Sequence, residues 1–355
     1  MSKPQVLICG TIVHAHDELK NDLGSVAEIL VSSIKPKRHV YMTSSLTSKH
    51  LTAQQQLDIS SRTEFFQACS SGGKYSNIVA IYRHNDSADK IGVFDAELIN
   101  QLPSSLKSIC HNGAGYDQID VHAAKARGIT VSHTPAAVDD ATADTAMFLV
   151  LSSLRQYYRA EINARSGKWK SGLKPAHDPE GKTLGIIGMG GIGSALAKRA
   201  AAFDMKIIYY NRNPNPNADP SYKYVSSQQE LLAQAHVVSL NLPLNKQTEK
   251  SFGKAQFDQM KDGAVLVNTA RGGVVDEEAL IEALASGKLS SAGLDVYPAE
   301  PKIDQRLVKM DNCILLPHMG TETVETQKKM EVQVFGSIKT ALETGKPSFI
   351  VKEHK

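Results

Sequence analysis

The sequence predicts an α/β protein made of two doubly wound parallel-sheet units. Three observations predict it. Short apolar runs of strand length alternate with helical patterns over most of the chain, the order that a parallel sheet needs for its crossovers. A second such series restarts at Lys182, after a stretch at 166–178 rich in Gly, Lys, Ser and Pro. And 355 residues exceed what one ordinary core encloses.

In the first series, apolar runs at 5–9, 77–82 (NIVAIY) and 106–110 (LKSIC) are expected as strands, 123–128 as a helix and 128–131 as the approach to a further strand. The polar stretch 32–61 is expected as a surface loop. A long helix is expected over 142–158, with Asp139 or Asp140 as its N-cap. The stretch 166–178 reads as a loop in which Trp169 packs between elements. The second series supplies strands at 183–187, 206–210, 237–240, 264–268, 290–294 and 313–316. Its helices fall at 192–203, 227–234 and 276–286, and a final helix runs over 322–344. No repeat of fixed period interrupts this order.

Composition narrows the class. A hydrophobic fraction of 41% with 22% charged residues argues against a disordered or fibrous chain. Forty basic and 37 acidic residues are interspersed and leave a net charge of +3, which gives no reason to expect a nucleic-acid or membrane partner. Cys9, Cys69, Cys110 and Cys313 lie far apart without metal-ligand spacing, so they are expected as reduced, buried thiols and no metal site is expected. No apolar run approaches the ~18 residues of a membrane span. The N-terminus lacks a charged segment leading into an apolar one, and the last four residues carry no retention or peroxisomal signal. A cytoplasmic protein is the expectation.

The first motif with chemistry in it follows the strand at 183–187. Gly188-Met189-Gly190-Gly191-Ile192-Gly193 is G-x-G-x-x-G between a strand and an Ala-rich helix. Gly188 allows the tight turn, Gly190 lets a pyrophosphate approach the backbone, and Gly193 lets helix and strand pack closely. The helix that opens there aims free N–H groups and its positive dipole end at the phosphates. A dinucleotide is therefore the expected cofactor. The end of the next strand reads Tyr210-Asn211-Arg212-Asn213, so the acid that would accept from the adenosine ribose hydroxyls is missing. Arg212 suits a 2′-phosphate instead, and NADP(H) is expected over NAD(H), which remains possible as an alternative.

Three polar residues then follow three strands: Arg271 in NTARG, Glu300 in AGLDVYPAE and His318 in LLPH. In open parallel sheets ligands bind beyond the carboxyl ends of the strands, so the three are expected to converge. A cation, an acid and an imidazole suit reduction of a 2-oxo acid. Arg271 would hold the carboxylate and polarise the C2 carbonyl, and His318 would give a proton to the developing alkoxide. Glu300 would orient the imidazole and favour its protonated form. Asp295 at a strand end would accept from the nicotinamide carboxamide.

With these residues in place the chain resembles the D-isomer-specific 2-hydroxyacid dehydrogenase family. The stretches that carry the resemblance are HNGAGYDQID at 111–120, GKTLGIIGMGGIG at 181–193, NTARGGVVDEEAL at 268–280, AGLDVYPAEP at 292–301 and LPHMGT at 316–321. Within that family it looks most like the fungal glyoxylate/hydroxypyruvate reductase-like members. The resemblance implies two Rossmann-like domains: a flavodoxin-like substrate domain at 1–134 with 322–355, and an NAD(P)-binding domain at 135–321. It implies Arg271, Glu300 and His318 as the catalytic set, and a homodimer.

By the same resemblance, backbone amides around Asn112, Gly113, Ala114 and Gly115 would hold the substrate carboxylate. Arg83 would either contact substrate or lie at the surface. Leu242 and Pro243 would flank the adenine. Thr269, Ala270, Arg271, Asp295, His318 and Gly320 would border the nicotinamide.

Glu300 stands where formate dehydrogenases carry Gln, which argues against formate as substrate. The expected substrates are glyoxylate and hydroxypyruvate, with a branched or aromatic 2-oxo acid as the alternative. A dinucleotide-sensing scaffold or corepressor without significant turnover is the rival of a different class. The region after the final helix is too short for the regulatory domain that phosphoglycerate dehydrogenases often carry.

Overall fold

A computed structural model of the chain describes residues 2–30 and 59–355. The expected loop at 32–61 therefore lies, up to residue 58, outside the described residues. Ser61 already caps the helix α1 (Arg62–Cys69) by accepting from the Glu64 amide. The described chain divides into two compact units, 1–137 with 323–355, and 138–322.

The first unit contains a five-stranded sheet of β1 (Gln5–Cys9), β2 (Glu28–Leu30), β3 (Ile78–His84), β4 (Ser108–Asn112) and β5 (Thr130–Ser132). All pairings are parallel, in the order β2-β1-β3-β4-β5. This is the doubly wound order of the flavodoxin-like class. Helices α1, α2 (Ala96–Gln101) and α3 (Val121–Ala126) contribute to the apolar cluster on one face, where Phe65, Leu98, Ile99 and Ala124 meet Leu7, Ile81 and Ile109. The other face carries Val6, Ile8, Ala80, Tyr82 and Cys110. Their neighbours in that cluster include Val334, Phe335 and Ile338 of the last helix, which is how the end of the chain joins its beginning.

The second unit is a seven-stranded sheet. Its strands are β6 (Thr183–Ile187), β7 (Lys206–Tyr210), β8 (Lys223–Tyr224), β9 (Val237–Leu240), β10 (Ala264–Asn268), β11 (Leu289–Leu294) and β12 (Cys313–Leu315). The order is β12-β11-β10-β9-β6-β7-β8, again parallel throughout. The winding reverses between β6 and β9, and ligands in such sheets bind beyond the strand ends at that switch. Both faces are covered, so the strands are apolar on both sides. Leu184, Ile186, Val237 and Val267 meet α4 (Asp139–Arg155) and α6 (Gly191–Ala201). Ile187, Leu240, Leu266 and Leu294 meet α7 (Gln228–Gln234) and α9 (Glu277–Ala285).

Between α7 and α9 lies α8 (Lys254–Gln259), and the last helix is α10 (Val324–Thr344).

Several expectations are corrected. The long helix is α4, which starts at Asp139 and stops at Arg155 because Gln156 is left-handed, with φ 54. A second helix, α5 (Tyr157–Arg165), follows it directly. Neither Asp139 nor Asp140 is the N-cap: Val138 holds that position without a side-chain bond, and both acids stand in the first turn. There they complement the positive end of the helix dipole. Trp169 packs between nothing; it is 75% exposed. The two-residue strand β8 was not expected, since two residues show no periodicity.

Candidate active site

The G-x-G-x-x-G turn joins β6 to α6. Gly188 has φ +102, and a Cβ there would strike the Asn241 carbonyl; a Cβ on Gly193 would strike the Gly188 carbonyl. These two glycines let strand, turn and helix close on one another. A Cβ on Gly190 would meet no protein atom within 4 Å, so the backbone is bare on that side. Gly190 is the N-cap of α6, and no side chain caps the first turn. An open backbone in front of uncapped helical N–H groups fits a pyrophosphate. Within the motif two N–H groups are already used: Gly188 donates to the Tyr210 carbonyl at 3.0 Å and Met189 to Asn211 Oδ1 at 2.8 Å. Asn215 Nδ2 donates to the Met189 carbonyl at 2.9 Å. Asn211 therefore ties the end of β7 to the phosphate loop, while Arg212 and Asn213 are exposed. Among the described residues Arg212 has no acidic partner within ion-pair distance.

Beyond the neighbouring strands, Leu242 packs partly buried on the sheet core and Pro243 is exposed, its carbonyl accepting from Thr248 Oγ1 at 2.6 Å. Thr269 is buried and its hydroxyl has no hydrogen-bond partner among the described residues. A buried hydroxyl left unpaired at a strand end is a further fit to a bound cofactor.

Arg271, Glu300 and His318 follow β10, β11 and β12. His318 Nδ1 and Glu300 Oε2 are 2.9 Å apart. The other oxygen, Oε1, accepts the Tyr297 N–H at 2.8 Å, which fixes the carboxylate plane. The Glu300 hydrogen bond is the largest influence on His318 and raises its pKa, outweighing the burial that opposes charge. Burial pushes the Glu300 carboxyl up, but the His318 bond, the Tyr297 amide and the His318 and Arg271 charges together hold it below its usual value. Arg271 acts on both groups, so the three are one electrostatic unit. With Nδ1 held by Glu300, Nε2 is the nitrogen left to serve a substrate, and the His318 side chain remains 42% exposed.

The backbone brings these loops together for identifiable reasons. A Cβ on Gly272 would strike the Tyr297–Pro298 backbone, so glycine is what allows the Arg271 turn to lie against the segment leading to Glu300. Asn268, 1% exposed, shapes that turn by accepting the Ala270 N–H at 3.0 Å and donating to the Arg271 carbonyl at 3.1 Å. Asp295, also 1% exposed, accepts from the Met319 and Gly320 amides at 2.6 and 2.9 Å. It thereby holds the turn in which His318 adopts φ 57, a conformation that a side chain seldom adopts unsupported. Burial raises the Asp295 pKa, with the two amides opposing. The sequence reading missed this supporting role, and missed Asn268 and Tyr297. Asn268 was findable, since Asn at a strand end before a turn caps the following backbone.

In the first unit, the segment after β4 is more committed than expected. Asn112 lies within β4, and its side chain donates to Tyr82 Oη at 2.7 Å. The Gly113 N–H donates to Thr134 Oγ1 at 2.9 Å, which removes it from the expected set of carboxylate donors. The Ala114 and Gly115 carbonyls accept from His133 and His111, at 2.8 and 3.0 Å.

Arg83 is corrected too. It is wholly buried, so the surface alternative fails, and its two terminal nitrogens are used within the fold while Nε has no partner among the described residues. One guanidinium nitrogen donates to Asn85 and lies 3.3 Å from His111 Nδ1; the other donates to Gln118 at 2.6 Å. Burial pushes its pKa down to about 10. His111 is held well below its ordinary value by burial and by the Arg83 charge. A neutral ring with its proton on Nε2 satisfies both neighbours, accepting from Arg83 and donating to Gly115.

The chain is similar in sequence and in fold to several known proteins. The family model for the D-isomer specific 2-hydroxyacid dehydrogenase NAD binding domain matches residues 147–320. The chain is 50% identical to 4-methyl-2-oxopentanoate reductase A of Aspergillus oryzae, over 83% of this chain and 89% of that protein. A crystal structure of a glyoxylate reductase from Paecilomyes thermophila superposes with a TM-score of 0.89 at 46% identity, covering 100% of each chain. An NADPH-dependent glyoxylate/hydroxypyruvate reductase of Sinorhizobium meliloti, solved with NADP and malonate, gives a TM-score of 0.80 at 27% identity, over 99% and 98% of the two chains.

Proposed function

This chain belongs to the D-isomer specific 2-hydroxyacid dehydrogenase family, a family of NAD(P)-dependent oxidoreductases acting on 2-oxo and 2-hydroxy acids, and we propose that it reduces glyoxylate and hydroxypyruvate with NADPH preferred over NADH. The observation that carries the reading is the 2.9 Å His318–Glu300 pair coupled to Arg271 at the strand ends of a dinucleotide-binding sheet.

When bound, the nicotinamide dinucleotide supplies the hydride for C2. The protein's part is charge and proton. Arg271 presents its fork of donors to the carboxylate and the C2 carbonyl oxygen, drawing electron density from C2. His318, protonated at Nε2, gives that proton to the oxygen as it gains charge. Glu300 stays ionised, keeps the ring oriented and stabilises the imidazolium before transfer. In the oxidative direction the neutral ring takes the proton back. The Ala114 and Gly115 amides are proposed as carboxylate donors, with Asn112 and Gly113 shaping their loop. Asp295, besides holding the His318 turn, has lone pairs left for the nicotinamide carboxamide, beside Thr269, Ala270 and Gly320. Leu242 and Pro243 are proposed to flank the adenine, and Gly188–Gly193 to hold the pyrophosphate.

The preference for NADPH rests on Asn211 and Arg212. Asn211 brings no negative charge to the ribose, and Arg212 is exposed and without an acidic partner among the described residues. Arg212→Ala is expected to raise the KM for NADPH roughly tenfold, the loss of one charge-assisted contact, with little change for NADH. An unchanged KM for NADPH would remove Arg212 from the site.

Three further assignments belong to the same proposal. The first unit is the substrate domain and the second the cofactor domain. The protein is a homodimer, since Phe148, Tyr157, Ile162 and Trp169 expose apolar surface along α4, α5 and the loop that follows. It works in the cytoplasm, where its four free, buried cysteines stay reduced; no helix among the described residues is long and apolar enough to cross a membrane.

A branched substrate is the second reading, favoured by the 50% identity to a 4-methyl-2-oxopentanoate reductase. A panel of 2-oxo acids assayed with NADPH and NADH decides. The proposal expects the highest kcat/KM on glyoxylate or hydroxypyruvate with NADPH. A maximum on 4-methyl-2-oxopentanoate or phenylglyoxylate moves the assignment to bulkier acids, and no turnover on any acid favours a dinucleotide-binding scaffold.

A further inference from the structure

The catalytic residues occupy the carboxyl ends of the strands in the second unit. At the amino ends of β6, β9, β10, β11 and β12 the same sheet borders a cavity of about 570 Å3. That volume is ordinary for a small-molecule site. Its lining differs from the surface around it in charge and in what is left unpaired.

Lys174, Lys182, Lys261 and Arg159 line it, with His177 and His236. Two acids also border it, but both are engaged: Asp262 pairs with Lys288 at 2.7 Å, and Asp311 with Arg159 at 3.4 Å. Among the described residues, Lys174, Lys182 and Lys261 have no carboxylate within ion-pair distance. Three lysines that line one cavity are therefore without a carboxylate partner among the described residues.

Two further observations are independent of that count. Ser152 and Ser153, at the end of α4, belong to the lining at 0% and 7% exposure, and neither hydroxyl has a hydrogen-bond partner among the described residues. Buried hydroxyls are nearly always paired in a native protein. The second concerns His236. Its Nδ1 accepts the Thr183 N–H at 3.0 Å, so the ring proton must be on Nε2. Yet Nε2 lies 3.4 Å from Lys261 Nζ, which is also a donor. Two donors that close call for an acceptor within reach of both. A water would accept from both but would leave the three lysine charges uncompensated.

We propose that this cavity is a second ligand site, and that it binds a small polyanion bearing phosphate or carboxylate groups. An anionic oxygen would sit within reach of both Lys261 Nζ and His236 Nε2, and Lys174 and Lys182 would neutralise the remaining charge. The site goes beyond the proposed reaction and uses none of its residues. Burial and the neighbouring lysines hold the His236 pKa below its ordinary value, so an anion seated there should raise it.

Calorimetric titration of inorganic pyrophosphate and of citrate separates the two chemistries. Both are titrated into protein already saturated with NADPH and oxamate, so that the phosphate and carboxylate positions of the reaction are filled. The proposal expects one anion bound per chain, with affinity at least tenfold weaker in Lys261→Met and in Lys182→Met. It also expects the imidazole NMR titration of His236 in the unaltered protein to move to higher pH when the bound anion is present. Pyrophosphate binding alone assigns the site to phosphates, and citrate binding alone to polycarboxylates. No binding of either anion overturns the proposal. So does binding that survives both lysine substitutions, or that is lost in Arg212→Ala instead.

Discussion

The two sheets each place an arginine and a histidine at or just beyond their strand ends, and the two pairs behave oppositely. In the first unit Arg83 and His111 are wholly buried, the histidine has no carboxylate partner among the described residues, and burial with the Arg83 charge disfavours its protonated form. In the second, His318 is 42% exposed and faces Glu300, which favours the imidazolium. Residue type does not separate them. What separates them is a carboxylate within hydrogen-bond reach and an open side from which a substrate can take the proton. The buried pair spends the Arg83 terminal nitrogens and the His111 ring on the fold, and the open pair leaves Nε2 for the proposed proton transfer.

The largest expected effect breaks the open pair. His318→Ala should lower kcat by about 100-fold or more, the usual cost of losing a general acid, while the thermal unfolding midpoint stays near that of the unaltered protein. A kcat within a few-fold of the original would mean that the proton comes from elsewhere. The buried pair should answer the opposite question. His111→Ala leaves the Gly115 carbonyl without its donor and removes the ring beside Arg83. It should cost about 1–3 kcal/mol of stability, read as a lower urea midpoint. A urea midpoint unchanged by His111→Ala would show that the cluster does not hold the loop after β4.

The same contrast explains how much could be read in advance. The parallel sheets were legible because strands covered on both faces are continuous apolar runs, such as LGII at 184–187 and AVLVN at 264–268. Gly188–Gly193 was legible because strand, turn and helix are contiguous, and the positions of Arg271, Glu300 and His318 because each follows a strand. The fate of Arg83 was not, because a guanidinium at a strand end looks the same whether Gln118 and His111 enclose it or not. Gln118 lies 35 residues away, and no local pattern marks it. Asp295 was given one role and has a second for the same reason, since the amides it holds arrive 24 and 25 residues later. The break of the long helix at Gln156 escaped because left-handed glutamine has no signature of its own. Trp169 was misplaced by a rule about size: large aromatics are usually covered, and within one chain this one is not.

The smallest expected effect tests the carboxylate itself. Reduction needs His318 protonated, so its rate falls as pH rises through the His318 pKa. The Glu300 hydrogen bond is the main cause that raises that pKa. Glu300→Gln keeps the shape and removes the charge, so the falling limb of kcat against pH should move to lower pH. The sign for stability follows from the same pair. His318, raised in the fold, contributes stability below its unfolded pKa and loses it as pH rises through the folded one; Glu300, lowered, contributes above its unfolded pKa and loses it as pH falls through the folded one. The difference in unfolding midpoint between the two proteins should therefore be greatest between those pKa values and disappear at alkaline pH. A limb that stays in place in Glu300→Gln, with kcat reduced evenly at every pH, would leave Glu300 as an orienting group only. The contrast with His111 would then rest on exposure alone.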